Sequence, residues 1–212
     1  MEPFRPTRGG GVRAWLAAPE ASLLRSLVGQ VLSLIAPDGS EPQHPPAASW
    51  NDIAALEALL DAPGPATPRG PGEPQELPKT PDDPVLARLL PDGYRDDPEA
   101  AGEFRKYTEP SLRSAKQQAA LQLLDTLPDT GGRIQLTPEQ AQAWLKALND
   151  VRLALGIRLD VTEDFERQWA KLKQDDPQWA AYEVYAWLGA VQESLVQALA
   201  LHRHADHPAR AA

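Results

Sequence analysis

The stretch RIQLTPEQAQAWLKALNDVRLAL, residues 133–155, contains two different side-chain periodicities. Its first four residues alternate polar and apolar side chains, which is typical of a short strand. Thr137, Pro138 and Gln140 then form a helix start, with threonine as the N-cap and proline in the first helical position. Apolar residues follow at spacings of four, three and four, namely Trp144, Leu148, Val151 and Leu155. The stretch therefore predicts a strand that leads into a helix with one buried face.

The N-terminal residues 4–16 predict a β-hairpin that would pair with this strand. Three consecutive glycines at positions 9–11 give the backbone the freedom that a tight turn needs. In the second strand, Arg13 and Trp15 alternate with apolar residues, so they would lie on the opposite face from those residues. Pro6 places the first strand at the edge of the sheet. We therefore expect a small sheet of two or three strands.

Helical periodicity appears in several further segments of the chain. The segment before Pro128 predicts two helices that are interrupted at Pro110. The last helix is apolar on nearly every side, which is typical of the central helix of a bundle. The predicted helices outside the opening stretch cover residues 19–35, a short segment from Ser49, and residues 85–90, 100–107, 110–127 and 177–201. The predicted fold class is mainly α, a bundle of about five to seven helices with a small N-terminal β-hairpin or short sheet.

The domain organisation follows from the distribution of proline. Of the 22 prolines, fourteen lie between Pro37 and Pro98. Residues 61–84 contain eight prolines and three glycines, a composition that cannot bury enough apolar surface to order itself. We expect a single helical domain over residues 1–212, with a flexible loop at 61–84 and a disordered tail at 202–212.

Composition also excludes several classes of function. The chain has no cysteine, so it cannot form a disulfide, a thiolate metal site or a thiol redox sensor. The net charge of −9 argues against non-specific binding to nucleic acid. Residues 1–11 are polar and rich in proline and glycine, so we expect no secretory signal. No apolar run is long enough to span a membrane, and a cytoplasmic protein is the expectation.

Catalytic chemistry is not expected, because the titratable residues lack the settings that enzymes use. Three of the four histidines lie in the C-terminal tail, where a metal site would lack further ligands to complete it. No serine has a nucleophile-elbow sequence around it, and no phosphate-binding or dinucleotide-binding loop is present. The acidic clusters are better explained as helix starts. The sequence therefore predicts no catalytic residue, no metal and no cofactor.

Protein–protein contact is the expected mode of action. The candidate contact residues are Arg13, Trp15, Arg105, Lys106, Arg113, Lys116, Asn149, Asp150 and Arg152. For the last three, an internal network that fixes helix packing is the stronger interpretation. Direct DNA binding is an alternative, because a strand that feeds a capped helix resembles the entry to some winged-helix domains. Against it, an apolar helix follows where a base-reading helix should stand.

Several segments together resemble a known family. They are Pro84–Tyr94 (PVLARLLPDGY), Glu103–Glu109 (EFRKYTE), Gln135–Thr137 (QLT), Trp144–Leu145, Leu148–Leu159 (LNDVRLALGIRL), Trp187–Gly189 (WLG) and Gln192–Glu193. They are similar to an actinobacterial family of oxidative-stress transcriptional regulators, the AosR-like proteins. The resemblance covers most of the chain outside residues 38–80 and the tail.

The resemblance implies a cytoplasmic regulator that works with a partner, which would be RNA polymerase through a sigma factor. It implies no catalytic residue. An adaptor of another complex, such as a protease, is a further alternative. Because this chain has no cysteine, its response to oxidant must come through a partner or through its abundance.

Overall fold

The computed structural model describes residues 1–36, 77–94, 96–173, 175–176 and 178–205. These residues form three strands and six helices, which confirms a mainly α fold with a small sheet. The elements are β1 (Glu2–Pro6), β2 (Val12–Leu16), α1 (Ala18–Ile35), α2 (Pro84–Leu89), α3 (Pro98–Thr126), β3 (Gly132–Leu136), α4 (Pro138–Arg158), α5 (Phe165–Lys171) and α6 (Trp179–Ala205). The predicted helix from Ser49 and most of the predicted loop at 61–84 lie outside the described residues.

The three strands form an antiparallel sheet in the order β1-β2-β3. Its inner face is buried against the helices and carries Phe4, Val12, Ala14, Leu16, Ile134 and Leu136. Arg13 and Trp15 lie on the other face, as the alternation predicts. The sheet therefore packs on the helices with its apolar face and exposes its other face to solvent.

Helix α4 lies at the centre of the bundle and contacts α1, α2, α3 and α6. Its N-cap Thr137 forms the predicted capping box with Gln140. Trp144 is fully buried, meets the ring of Phe4 edge-on at 5.8 Å, and donates its indole N–H to the Thr126 hydroxyl at 2.7 Å. The predicted strand–helix unit thus forms the core of the fold.

The prediction that the last helix is central is wrong. Helix α6 packs on β1 and α4, and Val184, Tyr185 and Trp187 remain only partly buried. Part of its apolar surface meets α5, where Phe165 stacks on Tyr182 at 5.5 Å. Helix α6 extends to Ala205. Most of the predicted disordered tail at 202–212 lies outside the described part of the chain.

The predicted break at Pro110 is also wrong, because α3 continues through it as one helix of 29 residues. An interior proline removes a helical hydrogen bond and usually costs about 3 kcal/mol. One ion pair spans the proline, between Glu109 and Arg113 at 2.7 Å, and Glu109 also binds Arg105 one turn earlier at 2.7 Å. These pairs, with the packing of α3 on α1 and α4, hold the helix together.

Within the described residues, no helix combines the length and the apolar character needed to cross a membrane.

Candidate functional site

The solvent side of the sheet carries a cluster of cationic and aromatic side chains, here called the outer sheet face: Arg5, Arg13, Trp15, Arg133 and Gln135. The strand register places Arg5 opposite Arg13, Trp15 opposite Arg133, and Arg13 opposite Gln135. Directly opposite residues on one face lie about 5 Å apart at their Cβ atoms. Three strands therefore bring three arginines and a tryptophan onto one small surface.

The outer sheet face is strongly positive and solvated. Among the described residues, Arg5, Arg13 and Arg133 take part in no ion pair, although Glu2 lies opposite Trp15 in the register. Trp15 is 46% exposed, which is unusual for so large an apolar side chain. A groove of about 630 Å³ is lined by Arg5, Arg13, Trp15 and Arg133, with Glu2 as its one acidic side chain in the described part of the chain. Such a surface can bind an anionic partner and stack or bury Trp15 against it.

The face carries an energetic cost that the fold itself does not require. Arg5 and Arg13 are like charges directly across two strands, an arrangement that destabilises a sheet. The exposed Trp15 adds apolar surface in water. A binding partner with negative charge would relieve both effects.

The other predicted contact residues mostly serve the fold. The side chain of Arg105 is only 4% exposed and binds Asp92, Glu109 and the carbonyl oxygen of Leu90. It connects α3 to the segment after α2. Arg105 therefore stabilises the interior and is not part of the predicted contact surface.

Arg113 and Lys116 are likewise engaged within the molecule. Arg113 binds Glu109 at 2.7 Å and donates to the carbonyl oxygen of Ile35 at 3.1 Å, which closes the C-terminal end of α1. Lys116 pairs with the buried Asp150 on α4 at 2.6 Å. These contacts fix the packing of α3 on α1 and α4.

The remaining three candidates are divided between surface and packing. Lys106 and Asn149 are exposed. Arg152 is half-buried, donates to Gln192 on α6 at 2.8 Å, and lies 5.2 Å from the centre of the Tyr185 ring. Asp150 and Arg152 thus make separate contacts between helices, Asp150 to α3 and Arg152 to α6, whereas Asn149 is exposed.

Three members of the outer sheet face, Arg5, Arg133 and Gln135, are missing from the candidates that the sequence predicts. All three stand at outward positions of predicted strands, so the alternation along each strand could have found them. Their proximity to Arg13 and Trp15 depends on the strand register, which local sequence does not reveal. The sequence also does not reveal Asp92 as a partner of Arg105, because Asp92 lies after α2 in a segment without a helical or strand periodicity.

The ion pairs change the pKa values of their carboxyl groups. Hydrogen bonds from Thr80 and then Arg105 lower the pKa of Asp92. Burial alone would raise the pKa of Glu109, but hydrogen bonds from Arg105 and Arg113 outweigh it and lower this pKa. At Asp150, burial dominates over the attraction of Lys116 and raises the pKa.

The lowered pKa of Glu109 predicts an acid-sensitive contribution to stability. A carboxyl with a folded-state pKa below its unfolded value stabilises the fold above the unfolded value, and this contribution disappears as pH falls through the folded pKa. Glu109→Gln is expected to lower the free energy of unfolding by about 1–2 kcal/mol at pH 7. The difference from wild type should shrink as pH falls below the ordinary glutamate pKa of about 4.3 and through the lower folded-state pKa.

Urea unfolding across this pH range measures the difference. The matched control is Glu103→Gln on the exposed side of the same helix, which should follow wild type at every pH. A Glu109→Gln deficit that stays constant from neutral to acid pH would contradict the prediction. The raised pKa of Asp150 gives the opposite pH dependence of stability. Because Asp150 is present in both wild type and Glu109→Gln, its contribution does not change the difference between them.

Within the described residues, no group of three or more histidine, cysteine, aspartate or glutamate side chains is placed to hold a metal ion. Helix α4, the capped helix that follows β3, packs against α1, α2, α3 and α6 at the centre of the bundle and runs on to Arg158 as one helix.

The sequence matches one family model over residues 1–199, described as Domain of unknown function (DUF2017). The chain belongs to the DUF2017 family. Proteins named oxidative stress regulator AosR from Mycobacterium bovis and Mycobacterium tuberculosis are 38% identical to it over 205 residues, which is 90% of this chain and 83% of those proteins. A Mycobacterium leprae protein named putative oxidative stress regulator AosR is 34% identical over 204 residues.

The predicted family resemblance is therefore confirmed, and the names of these relatives support a regulatory role in the stress response. No solved structure matches this DUF2017 chain.

Proposed function

We propose that this protein is a non-enzymatic, cytoplasmic regulator of the stress response that acts by binding a protein partner through the outer sheet face. The relatives named oxidative stress regulators support the regulatory part of this proposal. The observation that carries the contact is Trp15, 46% exposed among three arginines that form no ion pair within the described chain.

Physical chemistry supports a protein partner for this face. Tryptophan and arginine are the side chains that most often dominate binding energy at protein interfaces. Three arginines without internal partners favour an acidic surface, which also speeds encounter. The like-charged Arg5 and Arg13 pair is destabilising in the free protein, so binding would recover that free energy.

The expected partner is the transcription machinery, RNA polymerase together with a sigma factor. A regulator without cysteine cannot register oxidant through a thiol of its own. In this proposal the signal arrives through the partner or through the amount of the protein. An adaptor role in another complex, such as a protease, would use the same surface and is distinguished by what is captured.

Direct DNA binding has less support. Three of the basic residues that could contact phosphate, namely Arg105, Arg113 and Lys116, are engaged in internal ion pairs. The net charge of −9 also opposes phosphate binding outside the outer sheet face. Retardation of promoter DNA by the pure protein, lost at higher salt, would reverse this preference.

The proposal predicts that Trp15→Ala lowers recovery of the partner by about tenfold or more in an affinity pull-down, as for an interface hot spot. The tagged protein would be expressed in its own cells, with and without peroxide, and captured proteins identified by mass spectrometry. Arg13→Glu should reduce recovery as well, because it reverses charge within the face.

Lys106→Glu is the matched control, since it makes the same charge change at an exposed position of α3. It should leave recovery unchanged. Loss of the partner in Lys106→Glu but not in Arg13→Glu would place the contact on α3 instead. Capture of no component of the transcription machinery by the wild-type protein would contradict the proposed partner.

A further inference from the structure

The two edges of the sheet differ in their backbone hydrogen bonding. The Thr7 N–H donates to the Gly11 carbonyl oxygen at 2.8 Å, so the backbone of Gly11 faces β1. Since alternate residues of an antiparallel strand face the same neighbour, Arg13 and Trp15 also face β1, and Val12, Ala14 and Leu16 face β3.

The strand register then determines which backbone N–H and C=O groups of β3 point away from β2. Val12, Ala14 and Leu16 lie opposite Leu136, Ile134 and Gly132, which therefore bond to β2. The N–H and C=O groups of Arg133 and Gln135 point to the open edge. Among the described residues, no backbone hydrogen bond of a turn, loop or helix cap involves these four groups.

The edge of β1 is closed by contrast. Phe4 donates its outward N–H to the Ser194 hydroxyl of α6 at 3.4 Å. Pro6 has no N–H to offer, a common means of protecting an edge strand. Strand β3 has no proline, and its outward residues carry the exposed side chains of the outer sheet face.

We propose that an extended acidic segment of a protein partner pairs with β3 as a fourth strand of the sheet. This inference rests on the proposed function and names the chemistry of its partner. Backbone pairing at Arg133 and Gln135 would satisfy the four outward groups. A carboxylate on the added strand would lie directly beside Arg133, near the charge of Arg13.

Alternation along the added strand defines the rest of its composition. Side chains that share the outer face meet Arg133 and Gln135, so acidic and polar residues fit there. Side chains that share the inner face lie beside Ile134 and Leu136, both of which are buried, so apolar residues fit there. The partner segment therefore alternates acidic and apolar residues.

Charge argues against a second copy of the chain at this edge, and backbone chemistry argues against a nucleic acid. A second copy of the chain would bring its own arginines to the same positive face. A single-stranded nucleic acid could stack on Trp15 and bind the arginines, but its backbone offers no alternating donors and acceptors to the open edge of β3.

Amide hydrogen exchange by NMR on the full chain tests the pairing. The probe is a synthetic peptide of about nine residues that alternates glutamate and valine. At saturating peptide, exchange of the Arg133 and Gln135 amides is expected to slow by about tenfold or more. The Ile134 and Leu136 amides, already bonded to β2, should change little.

A peptide that alternates lysine and valine and a single-stranded thymine oligonucleotide of about ten nucleotides serve as matched probes. Neither should protect the two amides. Protection by the oligonucleotide but not by the glutamate peptide would overturn the inference in favour of nucleic acid. Protection that grows with protein concentration alone would overturn it in favour of a second copy.

Gln135→Pro and Gln135→Ala form a second, matched pair of measurements. Both remove the glutamine side chain, but only proline removes the outward N–H, and neither touches a hydrogen bond to β2. Gln135→Pro should weaken binding of the glutamate peptide about tenfold relative to Gln135→Ala. Equal affinities in the two variants would show that the backbone edge is not used.

The outcomes separate this inference from the proposed function. Capture of the transcription machinery without protection of the β3 amides at millimolar glutamate peptide would leave the function standing and overturn the added strand. Protection of these amides without capture of that machinery would support the added strand and contradict the proposed partner.

Discussion

Replacing Arg105 with alanine is expected to lower the free energy of unfolding by about 3 kcal/mol. The guanidinium is buried and binds Asp92, Glu109 and the Leu90 carbonyl oxygen. Its removal would leave the Leu90 carbonyl oxygen without this donor, and Asp92 and Glu109 would retain Thr80 and Arg113, respectively, as partners. Both carboxylates keep partial access to water, so the expected loss lies at the lower end of the range for broken buried ion pairs.

Lys106→Ala is the matched control, because this neighbouring cation is exposed. Its effect should stay within about 0.5 kcal/mol of zero. Urea unfolding followed by circular dichroism measures both variants, and Arg105→Lys should recover only part of the loss because lysine cannot bind two carboxylates in a fork. Equal stabilities of Arg105→Ala and Lys106→Ala would show that the buried network contributes nothing.

Trp144→Ala is expected to be more damaging, with a loss of about 3–5 kcal/mol. The indole is fully buried between the sheet and the helices, where it meets Phe4 and donates to Thr126. Alanine would leave a cavity at the junction of α3, α4 and β1, and the Thr126 hydroxyl would lose the indole donor while it keeps its bond to the Gln122 carbonyl oxygen. A domain of this size should lose about 2–4 °C of melting temperature per kcal/mol.

Trp15→Ala provides the comparison within the same residue type. Trp15 is largely solvated on the outer sheet face, so the change should alter stability by less than about 1 kcal/mol. Thermal unfolding and the pull-down together distinguish the roles of the two tryptophans. Trp144→Ala should lower the melting temperature, whereas Trp15→Ala should lower recovery of the partner. A melting temperature for Trp15→Ala as low as that of Trp144→Ala would assign Trp15 to the fold.

Local sequence was sufficient to predict the strand–helix unit at 133–155. Its capping box joins residues three positions apart, and its buried stripe follows from helical periodicity alone. The alternation of side chains along β2 likewise placed Arg13 and Trp15 on the solvent side. The same local rules failed at Pro110, where propensity predicts a break and two side-chain pairs with Glu109 maintain the helix.

The candidate site depended on contacts that local rules do not contain. A cluster of basic residues in α3 resembles a contact surface in the sequence, but Arg105, Arg113 and Lys116 are engaged by Asp92, Glu109 and Asp150. Conversely, Arg5 and Arg133 join Arg13 only through the strand register.

The sequence by itself determined the helical class, the absence of thiol chemistry and the direction of each side chain along its own strand or helix. These properties depend on composition and on hydrogen bonds between near neighbours. Only the tertiary structure decided that α4 is central, that Arg105 is buried, and that three arginines surround Trp15. Burial and charge pairing are set by residues far apart in the chain, because folding brings them into contact only when the core forms around Trp144.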